Sequence, residues 1–402
     1  MQERYIFHVD VNNAFLSWTA AYRLRILGER TDLRQIPAVV AGDRESRKGV
    51  VLAKSTPAKK YGIQTGEPLY QALEKCPGLV VVPPDGSVYE EASRKFVEIL
   101  RQYTPVVEQY SIDEAWMDMT GTQRLWGPPI LAADNLKNRI REELGFTVNI
   151  GISHNKLLAK MAGDLQKPDK VITLFPDELE GKFWPLPVEE LFLVGKSTAK
   201  RLNMLGIYTI GDLATSEPGM LRRHLGKGIE TVWHYANGRG SEKLTTERVQ
   251  NKGYSHAVTL EKNVTDLLTA DRILLELCDM VGTRLRKDEK TGSVLTVKLR
   301  TAEFKNYSHQ SVLENSTDST MELYRQARRI FREGWNGEPL RQMGIYLTRL
   351  SEDSYEQFDL FSGVSPEQQR KRSALDETMD TLRDKYGRRI ICQAGLLRQE
   401  KT

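Results

Sequence analysis

The sequence contains few cysteines and no long hydrophobic run. Its only cysteines are Cys76, Cys278 and Cys392, and they lie so far apart that they predict neither a disulfide framework nor a zinc site. No segment approaches the roughly 18 consecutive apolar residues of a membrane span. The chain opens with a strand-like segment rather than a signal peptide. We therefore expect a cytoplasmic protein with no membrane contact.

The excess of positive charge is small. Lys and Arg number 58 against 54 Asp and Glu, a formal net charge of +4 over 402 residues. This excess alone says little about nucleic-acid binding, so the distribution of charge matters more than its sum. The length is sufficient for two to four domains with separate cores.

One acidic pair lies in the segment 109–119, where β-branched and aromatic residues alternate with polar ones as in a strand or tight hairpin. The adjacent carboxylates of Asp113 and Glu114 repel one another unless a cation lies between them. A divalent cation with oxygen ligands would remove that cost. The alternative is an exposed turn with two solvated acids.

A further acid favours the metal-binding alternative. The apolar run 5–11 is typical of a buried strand and contains Asp10 near its end. If this strand lies beside the acidic segment, Asp10 approaches Asp113 and Glu114, and three carboxylates can hold two metal ions. That arrangement supports in-line phosphoryl or nucleotidyl transfer.

Three segments together resemble the signatures of the Y-family translesion DNA polymerases, in that family's order and spacing. They are 8–15 (HVDVNNAF), 111–115 (SIDEA) and 151–162 (GISHNKLLAKMA). The similarity runs from about residue 4 to about residue 350. It implies a template-directed DNA polymerase of low fidelity that adds deoxynucleotides to a primer 3′ end and bypasses lesions. Its substrates would be primer-template DNA and deoxynucleoside triphosphates.

The resemblance also implies a multidomain α+β fold of the right-hand polymerase type. We expect a ferredoxin-like palm, small fingers, a helical thumb with a helix-hairpin-helix, and a little finger domain. The hydrophobic periodicity of the second half predicts β-α-β-β-α-β order for the little finger. The expected limits are palm 1–20 and 86–166, fingers 21–85, thumb 167–238, linker 239–247, little finger 248–350 and tail 351–402.

By the same resemblance, Asp10, Asp113 and Glu114 are the catalytic candidates. Together with the main-chain carbonyl of Val11 they would hold two Mg²⁺ ions, which lower the charge on the primer 3′-oxygen and on the leaving pyrophosphate. The histidines are assigned structural roles because a hard cation prefers oxygen ligands.

Four residues are implied contacts of the incoming nucleotide: Phe15, Thr56, Lys59 and Lys167. Phe15 would pack against the sugar and exclude ribonucleotides; the alternative is a core aromatic on an amphipathic helix. Thr56 and Lys59 replace the Tyr and Arg of the polymerase IV pattern, and Lys59 keeps the charge without the bidentate geometry, as in the UmuC-like branch. Lys167 would contact the triphosphate; alternatively, the dipole favours it at a helix C-terminus.

Two segments are candidates for DNA binding. Residues 193–207 resemble a helix-hairpin-helix, whose turn at Gly195 and Lys196 would present backbone N–H groups to a phosphate, although one glycine of the usual turn is absent. Lys298 and Arg300 alternate with apolar residues along a predicted strand, and Lys305 follows in the hairpin. This pattern predicts a salt-dependent, sequence-independent DNA surface. The alternative is an ordinary solvated face.

The tail contains the segment 357–361 (QFDLF), which resembles a sliding-clamp-binding peptide. The implied contacts are Gln357, Asp359, Leu360 and Phe361. Apolar residues at helical spacing follow and predict a C-terminal helix. The sequence leaves open whether this helix packs on the body of the protein or on a partner.

Two other functions stay open at this point. The chain could be a UmuC-like polymerase subunit that is inactive without accessory partners, or a non-catalytic DNA- and clamp-binding protein. We expect a monomeric enzyme whose protein partner is the sliding clamp.

Overall fold

The computed structural model describes residues 4–43, 49–246, 250–352, 366–388 and 390–396. These residues form two compact units. The first contains residues 4–43 and 49–246, and the second contains the described residues from 250 onward. No helix among the described residues is long and apolar enough to cross a bilayer.

The first unit combines two sheets with helices. Its elements are, in chain order, β1 (Ile6–Val11), α1 (Ala14–Arg25), β2 (Ala38–Ala41), β3 (Val51–Lys54), α2 (Thr56–Lys59), α3 (Leu69–Lys75), β4 (Val80–Val82), α4 (Gly86–Tyr103), β5 (Val107–Gln109), β6 (Glu114–Asp118), α5 (Gln123–Trp126), α6 (Pro129–Leu144), β7 (Val148–Ser153), α7 (Lys156–Leu165), β8 (Val171–Thr173), α8 (Lys196–Asn203), α9 (Ile210–Thr215), α10 (Pro218–Leu225) and α11 (Ile229–Ala236).

The larger sheet has five strands in the order β5-β6-β1-β7-β8. β1 is central and antiparallel to both β6 and β7. Because successive side chains of a strand point to opposite faces, the alternation along β1 separates two environments. Phe7 and Val9 join a core that also contains Phe96 of α4 and Leu136 of α6. Ile6 packs on the other face, against Ala159 of α7 and its neighbours.

The smaller sheet, β3-β2-β4, and the helical region that follows β8 have cores of their own. Val39, Val51 and Ile63 are buried in the first, and Leu202 and Leu213 in the second. A short polar segment ends the unit and is bound to it: Ser241 accepts a hydrogen bond from Lys156 N at 3.0 Å. The segment predicted as a linker is therefore attached to the first unit at its start.

The second unit consists of β9 (Gly253–Val264), α12 (Leu267–Lys287), β10 (Thr291–Thr301), β11 (Asn306–Thr317), α13 (Thr320–Gly334), β12 (Leu340–Ser351) and α14 (Pro366–Tyr386). Its antiparallel sheet has the order β11-β10-β12-β9. The apolar faces of α12 and α13 share one core with the sheet. The β-α-β-β-α-β order read from the sequence is therefore present before α14 begins.

The C-terminal helix α14 packs on the second unit through ion pairs. Arg383 Nη1 lies 3.0 Å from Asp279 Oδ1 of α12, and both side chains are almost fully buried. The carboxylate of Asp376 accepts a hydrogen bond from the N–H of Thr320 at 3.1 Å, which satisfies a donor at the start of α13. The question that the sequence left open is answered: this helix contacts the body of the protein.

Loss of one partner of the buried pair should destabilise the second unit. Among the described residues, Arg383→Met leaves Asp279 with only the half-exposed Arg388 as a charge partner, at 3.7 Å. We therefore expect a loss of about 3 kcal/mol in the free energy of unfolding. Hydrogen exchange of α12 and α14 in the full chain measures it. The matched control is Arg325→Met, which removes an exposed pair with Glu322 and should cost about 0.5 kcal/mol or less. Equal effects of the two variants would contradict the prediction.

Candidate active site

The main chain brings the three predicted acids together. Asp10 of β1 lies opposite Glu114 of β6 in the antiparallel register. One residue further, the N–H of Val11 donates a hydrogen bond to the carbonyl of Asp113 at 3.0 Å. Residues directly opposite one another in such a pair have Cα atoms roughly 5 Å apart. All three acids therefore lie at the same end of two adjacent central strands.

The side chain of Asp10 is bonded to a lysine. Its Oδ2 accepts a hydrogen bond from Lys167 Nζ, and Asp164 lies 2.9 Å from the same ammonium. Burial raises the pKa of the Asp10 carboxyl above its ordinary value, although the charge of Lys167 opposes the shift. Asn149 holds the end of α7 beside it, because its side-chain amide donates to the carbonyls of Gly163 and Gln166 at 2.9 and 2.6 Å.

Glu114 has two protein donors. His8 Nε2 lies 2.9 Å from Glu114 Oε2, and Lys160 Nζ donates to the same oxygen. Burial raises the pKa of this carboxyl, but the hydrogen bonds from His8 and Lys160 outweigh it and lower the pKa to about 2. Lys160 reaches Glu114 because α7 packs closely on β7. A Cβ at Gly151 would lie only 1.9 Å from the carbonyl oxygen of Ala159.

Asp113 is held by the turn that precedes β6. The hydroxyl of Ser111 donates to Asp113 Oδ1 at 2.5 Å and accepts from the backbone N–H groups of Asp113 and Glu114 at 3.3 and 3.2 Å. One hydroxyl therefore fixes the turn that places two adjacent acids at the end of the strand.

A metal ion fits the chemistry of these residues. Within the described part of the chain, no group of three or more His, Cys, Asp or Glu side chains is spaced to hold a metal with the side chains as they stand. Asp10 and Glu114 are each bonded to a lysine ammonium group, which supplies the positive charge that a partly buried carboxylate needs. The donors are carboxylate oxygens, which Mg²⁺ and Ca²⁺ prefer.

The predicted nucleotide contacts occupy three places in the first unit. Phe15 of α1 is half-buried and lies 4.7 Å from the ring of Tyr89 and 6.0 Å from that of Trp18, measured between centroids. Thr56 and Lys59 are exposed in α2. Burial lowers the pKa of Lys54 in the adjacent strand, and the positive charge of Lys59 lowers it further, as expected where ammonium groups gather. Lys167 alone among these four contacts one of the acids.

Four of the five predicted DNA contacts, Gly195, Lys196, Lys298 and Lys305, are exposed, and Arg300 is half-buried. Gly195 precedes the first residue of α8, Lys196, and both are open to solvent. In the second unit, Lys298 and Arg300 lie on β10 and Lys305 lies in the turn before β11. The Arg300 guanidinium donates to Asn306 at 2.7 Å. The residues predicted to bind the sliding clamp lie outside the described residues; they are Gln357, Asp359, Leu360 and Phe361.

Comparison with known proteins decides the family. The model of the impB/mucB/samB family matches residues 9–164, the C-terminal domain of that family matches 251–360, and the IMS family HHH motif matches 176–207. DNA polymerase IV of Clostridium acetobutylicum is 46% identical over 98% of this chain and 99% of its own. DNA polymerase IV 1 of Bacillus subtilis is 34% identical over 100% of this chain and 95% of its own.

The structure is also similar to a solved one. A chimeric Y-family DNA polymerase superimposes with a TM-score of 0.74 at 23% identity, covering 86% of this chain and 98% of its own. The chain belongs to the Y-family of DNA polymerases. The right-hand α+β architecture with a helix-hairpin-helix is confirmed, and the family and the named relatives support a translesion DNA polymerase. The enzymes of this family depend on a metal ion.

Three residues of this Y-family site were not singled out from the sequence. The sequence assigns His8 only a structural role, and Ser111 and Lys160 enter only as members of the segments 111–115 and 151–162. Side-chain alternation offered one signal, because His8 lies two residues before Asp10 and so shares its face of β1. No sequence pattern indicates the bond between Lys160 and Glu114, since 46 residues separate them.

Removal of the Ser111 hydroxyl should slow this polymerase. Ser111→Ala frees the Asp113 carboxylate and leaves two backbone N–H groups without their acceptor, so we expect kcat to fall about tenfold. Single-turnover primer extension measures this rate. The matched control, Ser87→Ala, removes an exposed hydroxyl bonded to Asp85 and should leave the rate unchanged. An unaltered rate for Ser111→Ala would show that the turn holds its geometry without the hydroxyl.

Proposed function

We propose that this Y-family polymerase extends a DNA primer with two Mg²⁺ ions held by Asp10, Asp113, Glu114 and the main-chain carbonyl of Val11. The pairing of Asp10 with Glu114, next to the hydrogen bond between Val11 and Asp113, carries this proposal. When bound, the ions would stabilise the charge on the attacking 3′-oxygen and on the leaving pyrophosphate. The Asp10 carboxylate would exchange its lysine partner, Lys167, for a metal ion.

The triphosphate would be bound by cationic groups around the acids. Lys167 is already bonded to Asp10, so its ammonium group would be released to the phosphates when Asp10 binds a cation. Lys59 would add charge from α2, and the Thr56 hydroxyl a hydrogen bond. Lysine neutralises phosphate as a point charge. The presence of Lys59 in place of an arginine would therefore weaken the geometric selection of the triphosphate more than it weakens the electrostatic attraction.

Phe15 would select the sugar. Its ring is held from one side by Tyr89 and Trp18, which would prevent it from yielding to a 2′-hydroxyl. Phe15 can also be a core aromatic, as the alternative interpretation of the sequence holds. The two roles are compatible, because the same contacts that bury one edge of the ring would fix the other edge against the nucleotide.

DNA would be bound at two sequence-independent surfaces. The exposed turn at Gly195 and Lys196 would direct backbone N–H groups to a phosphate. Lys298, Arg300 and Lys305 lie on one hairpin of the second unit and would follow the phosphate backbone. The peptide 357–361 would bind the sliding clamp. We propose the subdomain limits expected from the sequence, and a monomeric enzyme of the cytoplasm.

The names of the relatives favour an enzyme of the polymerase IV type, which we propose to act without accessory subunits. Those described above carry the name DNA polymerase IV, whereas Lys59 is the feature that favours a UmuC-like subunit. Primer extension by the purified chain with Mg²⁺ tests the proposal. Activity of the chain alone supports it, and activity that requires cell extract would favour the UmuC-like alternative. Absence of activity in both conditions would favour a non-catalytic DNA-binding protein.

Loss of one proposed metal ligand should abolish synthesis while DNA remains bound. We expect Asp113→Ala to slow extension by about a thousandfold or more, because charge stabilisation at the reacting oxygens is lost. Fluorescence anisotropy with primer-template DNA should show little change in affinity. The control is Asp118→Ala at the far end of β6, the strand that Asp113 precedes, because the Asp118 carboxylate binds the N–H of Thr120. An active Asp113→Ala enzyme would refute the metal assignment.

Truncation of the proposed sugar gate should admit ribonucleotides. Phe15→Ala opens space beside the sugar, so we expect discrimination against ribonucleotides to fall by roughly a hundredfold. Single-nucleotide insertion of matched ribo- and deoxynucleotides gives the ratio. Tyr22→Ala removes an exposed aromatic from the same helix and should leave the ratio unchanged. Unaltered selectivity in Phe15→Ala would place the gate elsewhere.

A further inference from the structure

One oxygen of Glu114 is already used by the protein. His8 Nε2 and Lys160 Nζ both bond to Oε2. For Oε1, the structure records no hydrogen bond from any of the described residues. The carboxylate accepts the His8 contact, so Nε2 carries the proton and donates. His8 is buried, and its ring lies 5.2 Å from that of Trp116 between centroids.

Lys160 is held in place by more than its charge partner. Its ammonium lies 5.7 Å from the ring centroid of Tyr110 and 5.5 Å from that of Phe192. Both distances are within the range of cation–π attraction. Only 15% of the lysine side chain is exposed. A lysine is usually flexible, but these contacts restrict its ammonium to the position beside Glu114.

We propose that Lys160 and His8 are positioning residues that reserve Oε2 of Glu114 for the protein and leave Oε1 as the oxygen available to a metal ion. The inference rests on the proposed function, in which Glu114 is a metal ligand. Both donors bond to the same oxygen of the carboxylate, and together they fix its orientation. Lys160 also places a positive charge beside the site, which weakens cation binding in exchange for a defined carboxylate position.

This arrangement gives Lys160 an effect that a merely structural residue lacks. Lys160→Met removes a positive charge near the cation and frees Oε2, so metal affinity should rise while the rate of synthesis falls. Because a positive charge close to the cation is removed, we expect Mn²⁺ to bind roughly tenfold more tightly. The loss of a fixed carboxylate should lower kcat by about tenfold or more.

Electron paramagnetic resonance of free Mn²⁺ measures the affinity on the full chain without any need for turnover. The matched control is Lys156→Met on the same helix. Lys156 likewise pairs with a carboxylate, Glu108 at 2.5 Å, and lies over an aromatic ring, that of Trp116. Because Glu108 is not a proposed ligand, this variant should change Mn²⁺ affinity by less than about twofold.

Rescue tests whether the ammonium itself is responsible. Lys160→Cys in a Cys392→Ser background, treated with 2-bromoethylamine, restores an ammonium group at nearly the length of lysine. The remaining cysteines, Cys76 and Cys278, are buried. We expect the unmodified variant to behave like Lys160→Met, and the alkylated protein to regain both the weaker Mn²⁺ affinity and the faster rate.

The outcomes separate the inference from the proposed function. If Glu114→Gln leaves Mn²⁺ affinity unchanged, Glu114 is not a ligand and both fail. If Glu114→Gln weakens Mn²⁺ binding but Lys160→Met leaves it unchanged or weakens it, the inference alone is overturned. Tighter Mn²⁺ binding with slower synthesis, reversed by alkylation of Lys160→Cys, supports it.

Discussion

The register between β1 and β6 is the constraint on which the site depends. Asp10 lies opposite Glu114, and His8 lies opposite Trp116. A slip of one residue would turn every side chain of β1 to the other face of the sheet. Asp10 would then enter the core formed with α4 and α6, where a carboxylate without a partner is costly. The apolar residues Phe7 and Val9 oppose that slip, because burial of both in the same core requires the observed register. The hydrophobic core thus determines where the acids lie.

Charge compensation follows from that placement. The face of β1 that carries His8 and Asp10 is covered by α7, whose close approach to the sheet requires Gly151. Lysines of this helix and its C-terminal end then meet the carboxylates of Glu114 and Asp10. Partly buried acids need such positive partners. In the proposed function, these lysines would also lie next to the anionic substrate.

Much of this organisation could be predicted from the sequence, and the rest could not for physical reasons. The alternation of apolar residues predicts the strands, and the acids in segments 5–11 and 109–119 predict the site because each lies in a strand-like run. The β-α-β-β-α-β order of the second half follows from periodicity alone. By contrast, the bond of Lys160 to Glu114 and the capping of α13 by Asp376 join residues far apart in the chain. Such contacts depend on packing angles, which hydrophobic periodicity does not specify. His8 shows a further limit. Its residue type argues against a role as ligand of a hard cation, but it does not exclude a role as hydrogen-bond donor to the carboxylate of Glu114.

The two kinds of cation in this chain differ in a way that fits their positions. The buried pairs that attach α14 use arginine, as in Arg383 with Asp279 and Arg286 with Asp380. Asp10, which would exchange its partner for a metal ion in the proposed function, is paired with Lys167. Arginine presents several donors in a rigid plane and retains a carboxylate at more than one point, whereas lysine offers one flexible ammonium. A carboxylate that must exchange its partner for a cation is better paired with lysine, because a single hydrogen-bonded group can move away on its aliphatic stem. A helix that must stay in place is better attached by arginine. Lysine at Asp10 and arginine at α14 therefore fit one contact that is expected to change during a catalytic cycle and others that are not. Lys160 belongs with the fixed contacts, because two aromatic rings hold its ammonium beside Glu114.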